Sequence, residues 1–202
     1  MAQSDTKLIF VHIPKTGGTT LDQVLNREAG GNVYWLSGGA RDAMDRLAEM
    51  PVEESTRFDL YAGHLPWGLH TAIAAPCRYV TMLRHPVERL VSHYYHVHGE
   101  PEHRSYKQIV EGGMSLLDFV TSDITLEVDN LQTRFVAGLE ANDAAPLDGC
   151  TERLLETALG KLQETFAGCG VEEYFDESRR VWHDALGWAH QPVYGSQREN
   201  AS

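Results

Sequence analysis

KLIFVHIPKTGGTTL, residues 7 to 21, decides the fold. Lys7 to Ile13 is a short β-prone apolar run, bounded by Pro14 and the Gly17-Gly18 pair, and a helical pattern follows from Thr19 to about Arg27. Strand, glycine-rich loop and helix in that order form the first unit of a parallel sheet. The pattern repeats downstream. Strands are expected at Asn32 to Leu36, Phe58 to His64, Arg78 to Leu83 and in FAGCGV (166–171). Helices are expected at Arg41 to Met50, Pro86 to about Val97, Ser115 to Val120, Asn130 to Val136, Thr151 to Thr165 and Asp176 to Leu186. Pro86 suits a first helical position, where its missing N–H does no harm. Thr151 reads as an N-cap, Asp176 as another, and Gly187 falls just past the last helix. EPEHRSYK (100–107) and EANDAAPLDG (140–149) read as surface excursions. Strands alternating with helices imply an α/β, three-layer, P-loop-like parallel sheet flanked by helices.

The 202 residues are enough for one domain with a sizeable core, expected to span residues 1 to 202. The net charge is −12, and protonating all 10 histidines would still leave −2, so the chain has no global attraction for nucleic acid or an anionic membrane. A bound anion must therefore be held by a local concentration of donors. The three cysteines (Cys77, Cys150, Cys169) show no metal-ligand spacing; Cys150 and Cys169 could bridge under oxidising conditions, but reduced thiols fit better. The opening MAQSDTK has no apolar core, and no run of about 18 apolar residues follows, so a cytoplasmic protein without a membrane span is expected.

In parallel sheets ligands sit beyond the carboxyl ends of strands. At the end of the first strand, Gly17 and Gly18 let backbone N–H groups approach an anion. The helix start adds positive potential, and Lys15, Thr16, Thr19 and Thr20 add charge and hydroxyls. The same string serves as a plain glycine-rich turn with a threonine cap; the strand before it, the helix after it and the enclosed lysine favour the phosphate cradle. It is not a Walker A loop, where lysine follows the last glycine. The later strand ends in Arg84 rather than in a metal-holding aspartate. Arg84 can fork onto a second phosphate, or form a surface salt bridge, and Ser92 adds a hydroxyl two turns into the next helix.

VHIPKTGGTTL and YVTMLRHPVERLVSHYY resemble the two signature elements of sulfotransferases that use 3′-phosphoadenosine 5′-phosphosulfate (PAPS). The likeness is to the carbohydrate branch that includes heparan sulfate 2-O- and 6-O-sulfotransferases and short bacterial members. DNLQTRFVAG (129–138) and VEEYFDESRRVWHDALGW (171–188) resemble later stretches of those bacterial members, so the likeness runs from about Leu8 to Trp188. It implies that Lys15, Thr16, Gly17, Gly18, Thr19 and Thr20 hold the 5′-phosphosulfate end, that Arg84 and Ser92 hold the 3′-phosphate, and that no metal is required. Such members usually continue with further helix beyond the part resembling GWAHQPVYGSQREN; this sequence stops at Ser202, so a short C-terminus is expected.

In-line sulfuryl transfer needs charge on the leaving oxygen, which Lys15 can supply, and a base titrating near neutrality. His64, at the end of the Phe58 strand, resembles in its Gly-His setting the base of the 2-O-sulfotransferases; His70 is the second choice. Trp67, His70, Tyr95, Asn130, Gln132 and Arg134 are candidate acceptor contacts, with aromatics and amides suited to sugar hydroxyls, and core packing as the alternative for the aromatics. His93, His96, His98 and His103 cluster, and His93 with His96 has the i, i+3 spacing of a zinc pair. No cysteine or carboxylate completes that set, so a solvated or acceptor-facing helix end is expected. The expected acceptor is a hydroxyl-bearing glycan or small glycoside. The rival readings are a P-loop kinase or NTPase, which the Lys–Gly order and missing aspartate oppose, and a non-catalytic nucleotide-binding module, which Lys15 and His64 oppose.

Overall fold

The computed structural model describes residues 6–138 and 149–188. Five parallel strands form one sheet: β1 (Lys7–Val11), β2 (Val33–Leu36), β3 (Leu60–Gly63), β4 (Cys77–Leu83) and β5 (Phe166–Val171), in the order β2-β3-β1-β4-β5. β1 lies in the middle. The chain leaves it for β2 on one side and later returns to β4 on the other, so strand order reverses beside β1, where a ligand crevice opens in such sheets. Register makes that end level: Val11 stands opposite both Gly63 of β3 and Thr81 of β4.

Alternation along β1 builds the two cores. Ile9 and Val11 face one side with Tyr61, Tyr79 and Leu47, while Phe10 faces the other with Leu21, Leu25, Val80, Met82 and Trp182. The first face is covered by α2 (Ala40–Glu49), α6 (Leu131–Ala137) and α7 (Glu152–Glu164). The second is covered by α1 (Gly18–Glu28) and α8 (Phe175–Leu186). The short helix α3 (Val52–Ser55) precedes β3. A parallel sheet with helices on both faces is the expected α/β architecture.

A third apolar cluster stands outside the sheet, where α4 (Pro86–Gly99) meets α5 (Leu116–Val120) through Tyr94, Val97, Ile109 and Phe119. The expected surface excursion at 100–107 is mostly exposed, with Ser105 buried, and directly after it Lys107–Glu111 winds into one π-helical turn with Ile109 fully buried. α5 opens with a capping box between Ser115 and Asp118, and Thr151 caps α7 by accepting from the Leu154 amide. The last helix corrects an expectation. Its cap is Tyr174, while Asp176 lies in the first turn, where its charge favours the helix dipole. Gly187 closes that helix in the left-handed conformation, φ 64°. β3 is shorter than its apolar run, because Asp59 turns aside to Lys7 and Asn32. The three cysteines are free thiols. EANDAAPLDG lies almost wholly outside the described residues, as does the chain after Trp188. Among the described residues no helix is long and apolar enough to cross a membrane.

Candidate active site

A cavity of about 1230 Å³ opens beyond the carboxyl ends of β1, β3 and β4. That exceeds the ~300–1,000 Å³ of a typical single-ligand pocket, which leaves room for two molecules. Lys15, Gly17, Gly18, Thr19, Thr20, His64, Arg84 and Ser92 all line it. Thr16 does not; it is fully buried and its hydroxyl donates to the Ile13 carbonyl at 2.8 Å, pinning the loop from behind.

The loop is wound tightly. Lys15 (φ 69°) and Gly17 (φ 79°) both take the left-handed conformation, and Gly17 caps α1 without any side-chain bond, so the first amides of the helix have no capping side chain. A left-handed lysine costs roughly 1–2 kcal/mol; the Thr16 hydroxyl bond and the Arg84 Nη1 bond to the Lys15 carbonyl at 3.4 Å hold it there. Gly18 is required by contact. A Cβ at that position would lie 1.6 Å from His12 Nε2.

His12 is the residue that sequence reasoning missed, although it stands directly after β1. Its ring stacks on Phe10 at 5.1 Å and lies 4.3 Å from the His64 ring, with Asp22 Oδ1 3.6 Å from Nδ1. Burial, then the neighbouring His64, pushes its pKa down to about 3, and burial pushes Asp22 up to about 7. The His12 backbone orders His64: His64 Nδ1 donates to the His12 carbonyl at 2.9 Å. A carbonyl only accepts, so the neutral ring carries its proton on Nδ1 and presents Nε2 as a base.

Arg84 leaves β4 held by Gln132, whose side chain accepts from the Arg84 amide (2.9 Å) and donates to its carbonyl (2.8 Å). The guanidinium lies 3.6 Å from Glu172 at Nε, a buried donor without a hydrogen-bond partner. Glu173 accepts from the His85 amide at 2.7 Å. Lys15 loses proton affinity first through burial and then through the Arg84 charge, against a smaller opposing pull from Glu100. Two carboxylates from the end of β5 thus stand beside the cationic groups, which the sequence pattern did not indicate.

The candidate acceptor contacts do not line the cavity. Trp67 donates to Thr165 at 2.9 Å beneath the Lys161 ammonium, and His70 meets the Tyr79 hydroxyl at 2.8 Å. Tyr79 is four residues before Leu83, about 13 Å upstream of the strand tip at ~3.3 Å per residue. Tyr95 points outward, 60% exposed. Asn130 is a left-handed N-cap bonded to Asp129, and Arg134 is buried in an ion pair with Asp129. Of the histidine cluster, His93, His96 and His103 line the cavity and His98 does not: its Nδ1 donates to the Tyr94 carbonyl. Among the described residues no group of three or more histidine, cysteine or acidic side chains has metal-holding geometry.

A model of the sulfotransferase family Sulfotransfer_2 matches residues 1–135. Among solved structures, mouse sulfotransferase SULT7A1 complexed with PAP is similar over 93% of this chain and 60% of its own, at 14% identity and a TM-score of 0.46. This chain therefore spans about 60% of the length of that one. No curated protein matches the sequence.

Proposed function

The chain belongs to the sulfotransferase family, and on that premise we propose that it transfers the sulfuryl group of PAPS to a hydroxyl of a carbohydrate acceptor. The observation that carries the reading is the convergence of Lys15, His64, the loop glycines, Arg84 and Ser92 on one cavity. The donor set fits the nucleotide's two separated anionic ends. The Gly17–Thr20 amides and hydroxyls with Lys15 suit the phosphosulfate, while the Arg84 fork, with its unpartnered buried Nε, and Ser92 suit the 3′-phosphate.

When bound, PAPS supplies the activated sulfuryl group, and the chain's own residues do the rest. His64 Nε2 accepts the proton of the acceptor hydroxyl, its tautomer set by the His12 carbonyl. Lys15 places a positive charge where the leaving oxygen develops negative charge, fixed before the reaction by the left-handed turn of the loop. Gln132 keeps Arg84 in register with the loop.

Transfer of radiolabelled sulfate from PAPS to a glycoside panel tests the reading. His64→Ala should lower turnover by roughly 10²–10⁴, as loss of a positioned base does, with affinity for the product nucleotide PAP unchanged. Lys15→Ala should remove most turnover. Near-wild-type transfer by both variants would overturn the assignment.

A further inference from the structure

The far wall of the cavity is unused by the chemistry above. It is formed by His93, His96 and His103, with Arg104 and Glu127 at its edge. His93 and His96 lie on α4, the helix that carries Ser92, and His103 folds back so that its ring is 5.5 Å from His93 and 6.1 Å from His96. Behind them Arg89 donates to Glu127 at 3.0 Å in a buried pair. His93 is 3% exposed, yet neither ring nitrogen has a hydrogen-bond partner. A buried polar group left unpaired costs roughly 1–3 kcal/mol; Nδ1 faces Glu127 Oε2 at 3.8 Å, beyond hydrogen-bond reach, and Nε2 is the nitrogen open to a ligand. His103 is oriented as well: its Nδ1 accepts from the Ser105 amide at 3.1 Å, which leaves the proton of the neutral ring on Nε2.

Charge selects the kind of ligand. Burial lowers the pKa of all three rings, His93 to about 4. Arg89, Arg104, Lys15, His64 and the other rings of the cluster push the same way, against Glu127 and Glu100. Near neutral pH the wall is therefore uncharged; His103 offers its Nε2–H donor, its Nδ1 being taken by the Ser105 amide, and the neutral rings of His93 and His96 add donor and acceptor nitrogens, a match for hydroxyl groups. The cavity as a whole leans acidic: Glu127, Glu172, Glu173, Asp176 and Glu177 line it against four lysine and arginine side chains. A bound phosphosulfate nucleotide would add several negative charges and occupy Lys15 and Arg84. A second anion would then meet like charge, and the two cations that remain already face carboxylates, Arg104 at 3.8 Å from Glu127 and Arg179 at 3.9 Å from Asp176.

We propose that His93, His96 and His103 form the acceptor subsite, and that it takes an uncharged polyhydroxylated molecule, a neutral glycoside, in preference to one carrying a carboxylate or sulfate. This rests on the sulfuryl-transfer reading. The test is calorimetric titration of the full chain, with and without saturating PAP, against p-nitrophenyl β-glucoside and β-galactoside and the matched glucuronide and galacturonide. A neutral glycoside should bind at least tenfold more tightly than its uronide. His96→Gln and His103→Gln should each weaken that binding several-fold while leaving PAP affinity as in the wild type. Equal or tighter uronide binding, no glycoside binding by a protein that binds PAP, or unchanged glycoside affinity in both variants would overturn the subsite. Failure of PAP itself to bind would overturn the sulfuryl-transfer reading and this inference with it.

Discussion

Replacing Gly18 by alanine puts a methyl group where the structure has an imidazole. The new carbon would lie 1.6 Å from Nε2, 2.3 Å from Cε1 and 2.5 Å from Cδ2 of His12. The ring is crowded by three neighbours and meets open space only on the side that lines the cavity: Phe10 stacks on it at 5.1 Å, His64 lies at 4.3 Å and Asp22 at 3.6 Å. Overpacking of a filled site costs roughly 1–3 kcal/mol, and an approach as close as 1.6 Å puts this site at the upper end. In a chain of about 200 residues each kcal/mol moves Tm by roughly 2–4 °C, so a fall of about 6–12 °C is expected. Gly160→Ala is the matched control. It lies in α7 with nothing within 4 Å of the new carbon, so helix propensity alone should add about 0.8–1.0 kcal/mol and raise Tm by a few degrees. Differential scanning calorimetry of both variants at one pH reads the pair. A Gly18→Ala protein melting within about 2 °C of wild type would refute the packing of His12 against the loop.

Three further outcomes follow from the same geometry. Gln132→Ala removes both bonds to the Arg84 backbone at about 1 kcal/mol each, so it should lower stability by about 2 kcal/mol and weaken PAP binding; unchanged urea midpoints would show that the strand tip holds itself. Glu172→Gln frees Arg84 from a competing carboxylate and should tighten PAP binding by up to about fivefold, the worth of a partly exposed ion pair, whereas weaker binding would mean that Glu172 helps to hold the nucleotide. Asp22 is raised from 3.8 to about 7 by burial, so the folded state holds its proton more tightly, and the stability tied to it is present below about pH 4 and lost as pH rises through 7. Asp22→Asn should therefore raise Tm near pH 8 and change it little near pH 4; equal shifts at both would refute the assignment.

The strand ends were legible in the sequence because their signals are local. The apolar run, the glycine pair and the lysine of residues 7–21 place a loop at a strand tip, and Arg84-His85-Pro86 marks the second tip by breaking a strand and opening a helix. The acceptor side was not legible, because it depends on which face of an element meets the cavity. Trp67 and His70 follow His64 in sequence, but the turn at Leu69–Ala72 folds them back onto Tyr79, far from the strand tips. Asn130 and Arg134 look like sugar ligands and instead close their own helix start through Asp129. Helical spacing put His93 and His96 on one face without telling solvent from cavity. That was decided by the return of His103 and the burial of Ile109, contacts between segments with no shared local pattern. Glu172 and Glu173 reach the site only because β5 pairs with β4, Leu83 against Val171, strands far apart in sequence.

Isothermal titration of the protein with PAP, and separately with ATP and Mg²⁺, tests the central claim most directly. The account predicts that PAP binds without a divalent ion, that Arg84→Ala weakens it at least tenfold, and that ATP with Mg²⁺ binds far more weakly. Tighter binding of ATP with Mg²⁺, or PAP affinity indifferent to Arg84, would contradict it.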